Sequence, residues 1–170
     1  MSAARVRSLM AVNVATLPIT VGVGAIVKRD DRLLVVKRTY GALKGFWTIP
    51  SGYAEPHESV AMTLEREVKE ETAVVGRAGP LVAVRNRVTA DVNDTFLVFH
   101  MDYVSGEPAP DAQEVSAAAF VPLDELRTSP ESAPFTKAMI EKGLPARGMR
   151  LDSYLPPGPR KEGEFYLLYL

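Results

Sequence analysis

The stretch Gly52 to Val74 reads GYAEPHESVAMTLEREVKEETAV, and its second half predicts the best-defined element of the chain. From Ser59 to Thr72 there is no Gly or Pro, and Glu predominates, with Lys, Leu and Met among the rest; such a run predicts a helix. Glu67, Glu70 and Glu71 stand at i, i+3 and i+4, which places three carboxylates on one face. Like charges stacked in this way cost an isolated helix about 0.2–0.5 kcal/mol per pair and call for compensation by cations. A hard divalent ion such as Mg²⁺ provides it, because it takes oxygen ligands and bridges carboxylates to phosphates. A solvated face on which Lys69 or Arg66 pairs with the acids would satisfy the same charges. Ala61, Leu64 and Val68 form an adjoining face suited to packing on a sheet.

Upstream, Ile19 to Val27 and Leu33 to Val36 are apolar runs separated by a charged turn, and together they predict a β-hairpin. A loop from Thr39 to Gly45 leads to a short β-prone piece, Phe46 to Ile49, which Pro50 and Gly52 stop. Downstream, Leu81 to Val88 and Thr95 to Val104 read as strands around the polar turn Ala90 to Asp94. After the Pro-rich loop Gly106 to Asp111 come a strand at Ala117 to Val121, a short helix near Leu123 to Leu126 and a further helix at Pro134 to Lys142. Strands with a few interspersed helices and no regular βαβ alternation predict an α+β fold, a mixed sheet flanked by helices.

The chain of 170 residues suits one domain, expected over residues 18–150, with a flexible leader at 1–17 and a C-terminal extension at 151–170. A net charge of -1 does not suit a polybasic nucleic-acid binder. With no cysteine, disulfides, thiolate nucleophiles and cysteine-bound zinc are excluded, and with two histidines the metal-ligand candidates are carboxylates. No run is apolar enough to span a bilayer, so the expectation is a soluble, cytoplasmic protein with neither membrane nor nucleic acid as partner. The ending Phe165 to Leu170, apolar and β-prone after Pro156-Pro157-Gly158-Pro159, is expected to add to a sheet edge or dock in a groove. That edge or groove belongs either to its own domain or to the second subunit of a homodimer.

Lys37, Arg38 and Lys44 lie on the approach to the acidic stretch as candidate phosphate contacts, against an alternative as surface cations. Phe46, Trp47 and Tyr53 flank it, and an aromatic face can stack on a nucleobase; for Trp47, core packing is the competing role.

Gly52, five residues, Glu58, seven residues, Arg66-Glu67-Val68, one residue, Glu70-Glu71, one residue, Ala73-Val74: this pattern resembles the signature of the Nudix hydrolase family. Every fixed position matches except one, where Ala73 replaces a glycine. The resemblance extends from about Ile19 to Leu126 and implies a sandwich of a mixed sheet flanked by helices. It further implies that Glu67, Glu70 and Glu71, with the backbone at Gly52 close by, bind Mg²⁺ or Mn²⁺ and help activate water. Arg66 would orient one of these glutamates, and Glu58 would support them near the helix start. The residue acting as general base varies in the family; Glu70 is one candidate and Glu114, outside the signature, another.

The implied substrate is a small nucleotide, a nucleoside diphosphate linked to another moiety, split at its diphosphate. Thr89, Ala90 and Asp91 stand where some subgroups carry a diagnostic proline or tyrosine, so the moiety is not named. The lack of cysteine argues against the zinc-binding NADH-cleaving subgroup and against prenyl diphosphate isomerases on the same fold. The alternative, an inactive ligand-sensing or protein-binding domain, expects signature glutamates to be lost, and all are present. If the helix exit needs positive φ, Ala73 costs about 1 kcal/mol there, which predicts an altered exit.

Overall fold

In the computed structural model, which describes residues 18–154, 158–159, 162 and 167–170, strands β1 (Ile19–Arg29) and β2 (Arg32–Arg38) form the expected hairpin. Its turn uses Asp30 in the left-handed region, at φ 56°. The two strands pair only at Lys28 with Leu33 and Arg29 with Arg32, and then part. Beyond that point β1 lies between β4 (Ser51–Tyr53), antiparallel to it, and β6 (Asn93–Ser105), which is parallel. The outer neighbour of β6 is β5 (Val75–Val88), while β2 carries β3 (Trp47–Thr48) and β7 (Val115–Pro122), all antiparallel. The result is one splayed mixed sheet, the α+β class that the order of elements predicts.

Helix α1 (Val60–Thr72) covers one face of the sheet. Its Leu64 and Val68 are fully buried against Val23, Ala25, Val27, Leu34 and Phe99. On the other face, α2 (Leu123–Thr128), α3 (Pro134–Ala138) and a π-helical turn, Met139–Gly143, bury Leu126, Met139 and Ile140 on Ile26, Val35 and Val98. Each large side chain removed from water in this way contributes about 1.5–3 kcal/mol, and the two cores hold the sheet from both sides.

Three departures from the sequence reading have physical causes. Strand β5 begins at Val75, not Leu81, because register shifts between Ala78 and Leu81 absorb Gly79 and Pro80, and an edge strand tolerates a missing N–H. The helix expected over Pro134 to Lys142 changes at Met139 to the π-helical turn, whose cap bond runs from the Leu144 N–H to the Met139 carbonyl at 2.7 Å. The exit of α1 is not remodelled either: Ala73 itself takes the left-handed conformation, φ 58°, and its N–H still bonds the Lys69 carbonyl at 2.8 Å.

At the C-terminus β8 (Leu151–Asp152) pairs antiparallel with β9 (Leu168–Tyr169), and the Tyr169 ring meets Phe99 edge-on at 5.4 Å between centroids. The expected leader at residues 1–17, and Pro156, Pro157, Phe165 and Tyr166 of the extension, lie outside the described residues. Among the described residues no helix is long and apolar enough to cross a membrane.

Candidate active site

Helix α1 starts at Ser59, whose hydroxyl accepts the Met62 N–H at 3.2 Å. About two turns on, the Arg66 guanidinium gathers three acids. Nε and Nη2 donate to the two oxygens of Glu58 at 2.8 and 2.9 Å, and Nη1 donates to Glu67 at 2.9 Å and to Glu70 at 3.0 Å. The Glu67 carboxylate lies on the bare backbone of Gly52, where a Cβ would come within 1.9 Å of its Cδ. Glycine is therefore required at 52 by the carboxylate beside it.

Glu71 faces inward, with its side chain only 3% exposed, between α1 and the ends of β2 and β4. The Ser51 N–H donates to its Oε2 at 2.9 Å, and Arg38 Nη1 lies 2.5 Å from Oε1. Oε1 accepts no aligned hydrogen bond, which leaves a buried lone pair free for another partner. Arg38 is fixed in turn by Nη2, which donates to the Ser51 carbonyl and hydroxyl at 2.6 and 2.8 Å. The same guanidinium is 3.9 Å from Glu114, and the Tyr40 hydroxyl donates to that carboxylate at 3.3 Å. Asp111 holds the loop carrying Glu114 by accepting the N–H groups of Gln113, Glu114 and Val115.

These surroundings shift the acids in opposite directions. Burial pushes the Glu71 carboxyl up to about 7, against the lowering pull of Arg38 and the Ser51 N–H, and the charges of Glu67 and Glu114 add to the rise. Burial also raises Glu67, opposed by Arg66. Glu58 is lowered, chiefly by its hydrogen bonds from Arg66. Near neutral pH the site thus holds a carboxyl poised to exchange a proton.

The cleft above these groups has a volume of about 820 Å³. Of the residues singled out from sequence, Arg38, Gly52, Tyr53, Arg66, Glu67, Glu70, Glu71 and Glu114 line it. Lys37, Lys44, Phe46 and Trp47 do not. Consecutive strand residues point to opposite faces, and a bulge between Lys37 and Arg38 sharpens their divergence. Lys37 turns outward to Glu131 at 2.8 Å and lies over the Trp47 ring, 4.9 Å from its centroid. Trp47 packs at the edge of the second core. Sequence reasoning missed Tyr40, Arg85, Arg87, Phe96 and Phe135, all of which line the cleft. Arg85 and Arg87 stand two apart on a readable strand, a period-2 signal for a shared face.

Among the described residues no three acidic or histidine side chains converge around a common point. Glu67 and Glu70 contact Arg66, and Glu71 contacts Arg38. The donor set nonetheless fits a hard cation, being composed of carboxylates, with a buried Oε1 at Glu71 that accepts no aligned hydrogen bond and whose partner is the Arg38 guanidinium.

A family model described as the NUDIX domain matches residues 18–142. The chain belongs to the Nudix family. It is 32% identical over 110 residues to an ADP-ribose pyrophosphatase from Methanocaldococcus jannaschii, a match covering 62% of this chain and 63% of that protein. It is 30% identical to the NAD-capped RNA hydrolase NudC of Stutzerimonas stutzeri, over 77% of this chain and 46% of that one. The chain thus spans less than two thirds of the length of either curated relative. Among solved structures, the MutT NUDIX hydrolase from Burkholderia pseudomallei superposes with a TM-score of 0.65 at 26% identity, covering 74% of this chain and 98% of that one. The NUDIX domain of Shewanella oneidensis NrtR, solved with ADP ribose, has a TM-score of 0.63 at 20% identity and covers 85% of this chain and 97% of that one, a likeness of fold.

Proposed function

We propose that this Nudix protein hydrolyses the diphosphate linkage of a nucleoside diphosphate joined to another moiety, in a reaction that depends on Mg²⁺ or Mn²⁺. The observation that carries the reading is Glu71: a buried carboxylate, ion-paired to Arg38 through an oxygen that accepts no aligned hydrogen bond, on the same helix turn as Glu67 and Glu70 and lining a cleft large enough for a nucleotide. Glu67, Glu70 and Glu71 would hold the ion, with the Gly52 backbone beside them. A divalent ion there supplies neutralisation of the diphosphate's charge and a more acidic water.

The protein's own groups do the rest. Arg66 orients Glu67 and Glu70 through two charge-assisted bonds while Glu58 fixes its far edge. Glu70, exposed on the helix, and Glu114, across the cleft beside Tyr40, are the two candidates to take a proton from attacking water. Arg38 keeps Glu71 in place and faces the cleft as a candidate phosphate contact, and Tyr53, an exposed aromatic at the rim, is a stacking surface for the nucleoside.

The test is a screen of nucleotide diphosphates with Mg²⁺ and with Mn²⁺, reading release of nucleoside monophosphate, for the parent protein and for Glu67→Gln and Glu71→Gln. The expected outcome is turnover that excess chelator abolishes and that each variant lowers by at least about 10²-fold, with circular dichroism unchanged. Undiminished turnover in excess chelator would overturn the metal assignment. Turnover confined to non-nucleotide phosphates would remove the nucleoside from the proposal.

A further inference from the structure

The cleft is electrically lopsided. At the α1 end it is lined by Glu67, Glu70, Glu71 and Glu114 against Arg38 and Arg66. At the sheet end it is lined by Arg85 and Arg87, with Phe96 and Phe135. The sheet end is built with care. Phe96 lies flat on β1 because Gly22 and Gly24 beneath it have no side chains; a Cβ on either would fall 2.7 or 2.8 Å from the ring. Its ring contacts Phe135 edge-on at 5.8 Å. The Arg85 guanidinium covers Phe96 at 4.9 Å from its centroid and is clamped by an ion pair with Asp94, which also accepts the Thr20 hydroxyl at 2.7 Å. Arg87 is exposed and has no ionic or hydrogen-bonding side-chain partner among the described residues.

Of these two cations Arg85 is paired with Asp94 and Arg87 has no carboxylate partner among the described residues, an excess of positive charge. A scissile diphosphate neutralised at the acidic end leaves that excess unmatched. The occupied face of Phe96 also closes it to a stacking base and presents the fixed guanidinium instead, a fork suited to a phosphate. We infer that Arg85 and Arg87 form a subsite for a phosphate monoester carried by the substrate outside the diphosphate that is cleaved, so that the preferred substrate is a phosphorylated nucleoside diphosphate derivative. This rests on the hydrolase reading above and narrows its substrate class.

The test compares ADP-ribose with its 2′-phosphate and its 1″-phosphate, which place the extra group at either end of the molecule. Relative kcat/KM is measured for the parent protein, Arg87→Ala and Arg87→Lys, and relative Kd by calorimetry with Ca²⁺. One phosphorylated form is expected to be preferred by about tenfold or more, a ratio that falls toward one in Arg87→Ala and is largely kept in Arg87→Lys. Arg87 is exposed and unpaired, so its replacement leaves folding intact. Equal kcat/KM for all three compounds, or a preference that Arg87→Ala leaves unaltered, would overturn the inference; the latter result would place the arginine on a part common to all of them. If none is hydrolysed, these compounds are not substrates, the hydrolase reading is decided by the wider nucleotide screen, and the Kd ratio alone still decides whether the subsite exists.

Discussion

At position 52 the backbone is part of the acidic site. A methyl group there would coincide with the Glu67 carboxylate, so Gly52→Ala must push that side chain out of register with Glu70 and Glu71. Displacements of about 1 Å near reacting groups cost about 10²-fold in rate, and a loss of that order is expected in kcat, together with weaker Mn²⁺ binding by calorimetry. Glu71 makes a prediction of opposite character. Its carboxyl is raised from 4.5 to about 7, so between those values the folded protein keeps a proton that the unfolded chain has released. Stability of the metal-free protein therefore falls as pH rises through that window, by about 3 kcal/mol. The groups that face Glu71 are Arg38, Ser51, Glu67 and Glu114, and Glu71→Gln replaces none of them. In this variant the fall in melting temperature from pH 5 to pH 8 should flatten, whereas an identical slope in both proteins would show that Glu71 titrates normally. The three helix glutamates were legible from their helical spacing, and Gly52, Glu58 and Arg66 from the resemblance to the Nudix signature. Arg38 was legible as a candidate but its direction was not, since which of Lys37 and Arg38 enters the cleft depends on the pairing of β2 with its neighbours.

Helix α1 carries an avoidable cost at its exit. Ala73 sits at φ 58°, where a Cβ crowds the backbone, so Ala73→Gly is expected to stabilise the protein by roughly 0.5–1 kcal/mol, read as a higher urea midpoint with unchanged m. The reverse holds at the other end: Ser59→Ala removes the cap on the Met62 N–H and should destabilise by about 1 kcal/mol. Such ends are local and could be anticipated from the residues themselves. The first part of strand β5, Val75 to Pro80, could not, because Gly76, Gly79 and Pro80 punctuate it as a loop would and only its ladder with β6 makes it a strand, whereas Leu81 to Val88 was legible. The residues missed in the cleft were hidden for a different reason. Arg85, Phe96 and Phe135 meet only after β5, β6 and α3 have been brought together.

Across the whole molecule, the described end of the chain folds back on its own domain. Tyr169 sits on Phe99 of the first core, and Leu170 exchanges backbone bonds with Arg150 at 2.6 and 2.9 Å. Deleting residues 167–170 should lower the melting temperature while the mass in solution changes only by the residues removed. A larger drop in mass would assign the tail to a dimer contact. The parallel pairing of β1 with β6 has a further consequence, in time. Thr20 bonds Asp94 from 74 positions away, and the register runs from Ile19 with Asn93 to Val27 with Met101. Closing so distant a contact is slow, and on the ribosome β1 emerges with one edge bare until β6 follows. A nascent chain halted before Met101 thus already holds every glutamate of α1 and lacks the sheet that would give them a cleft.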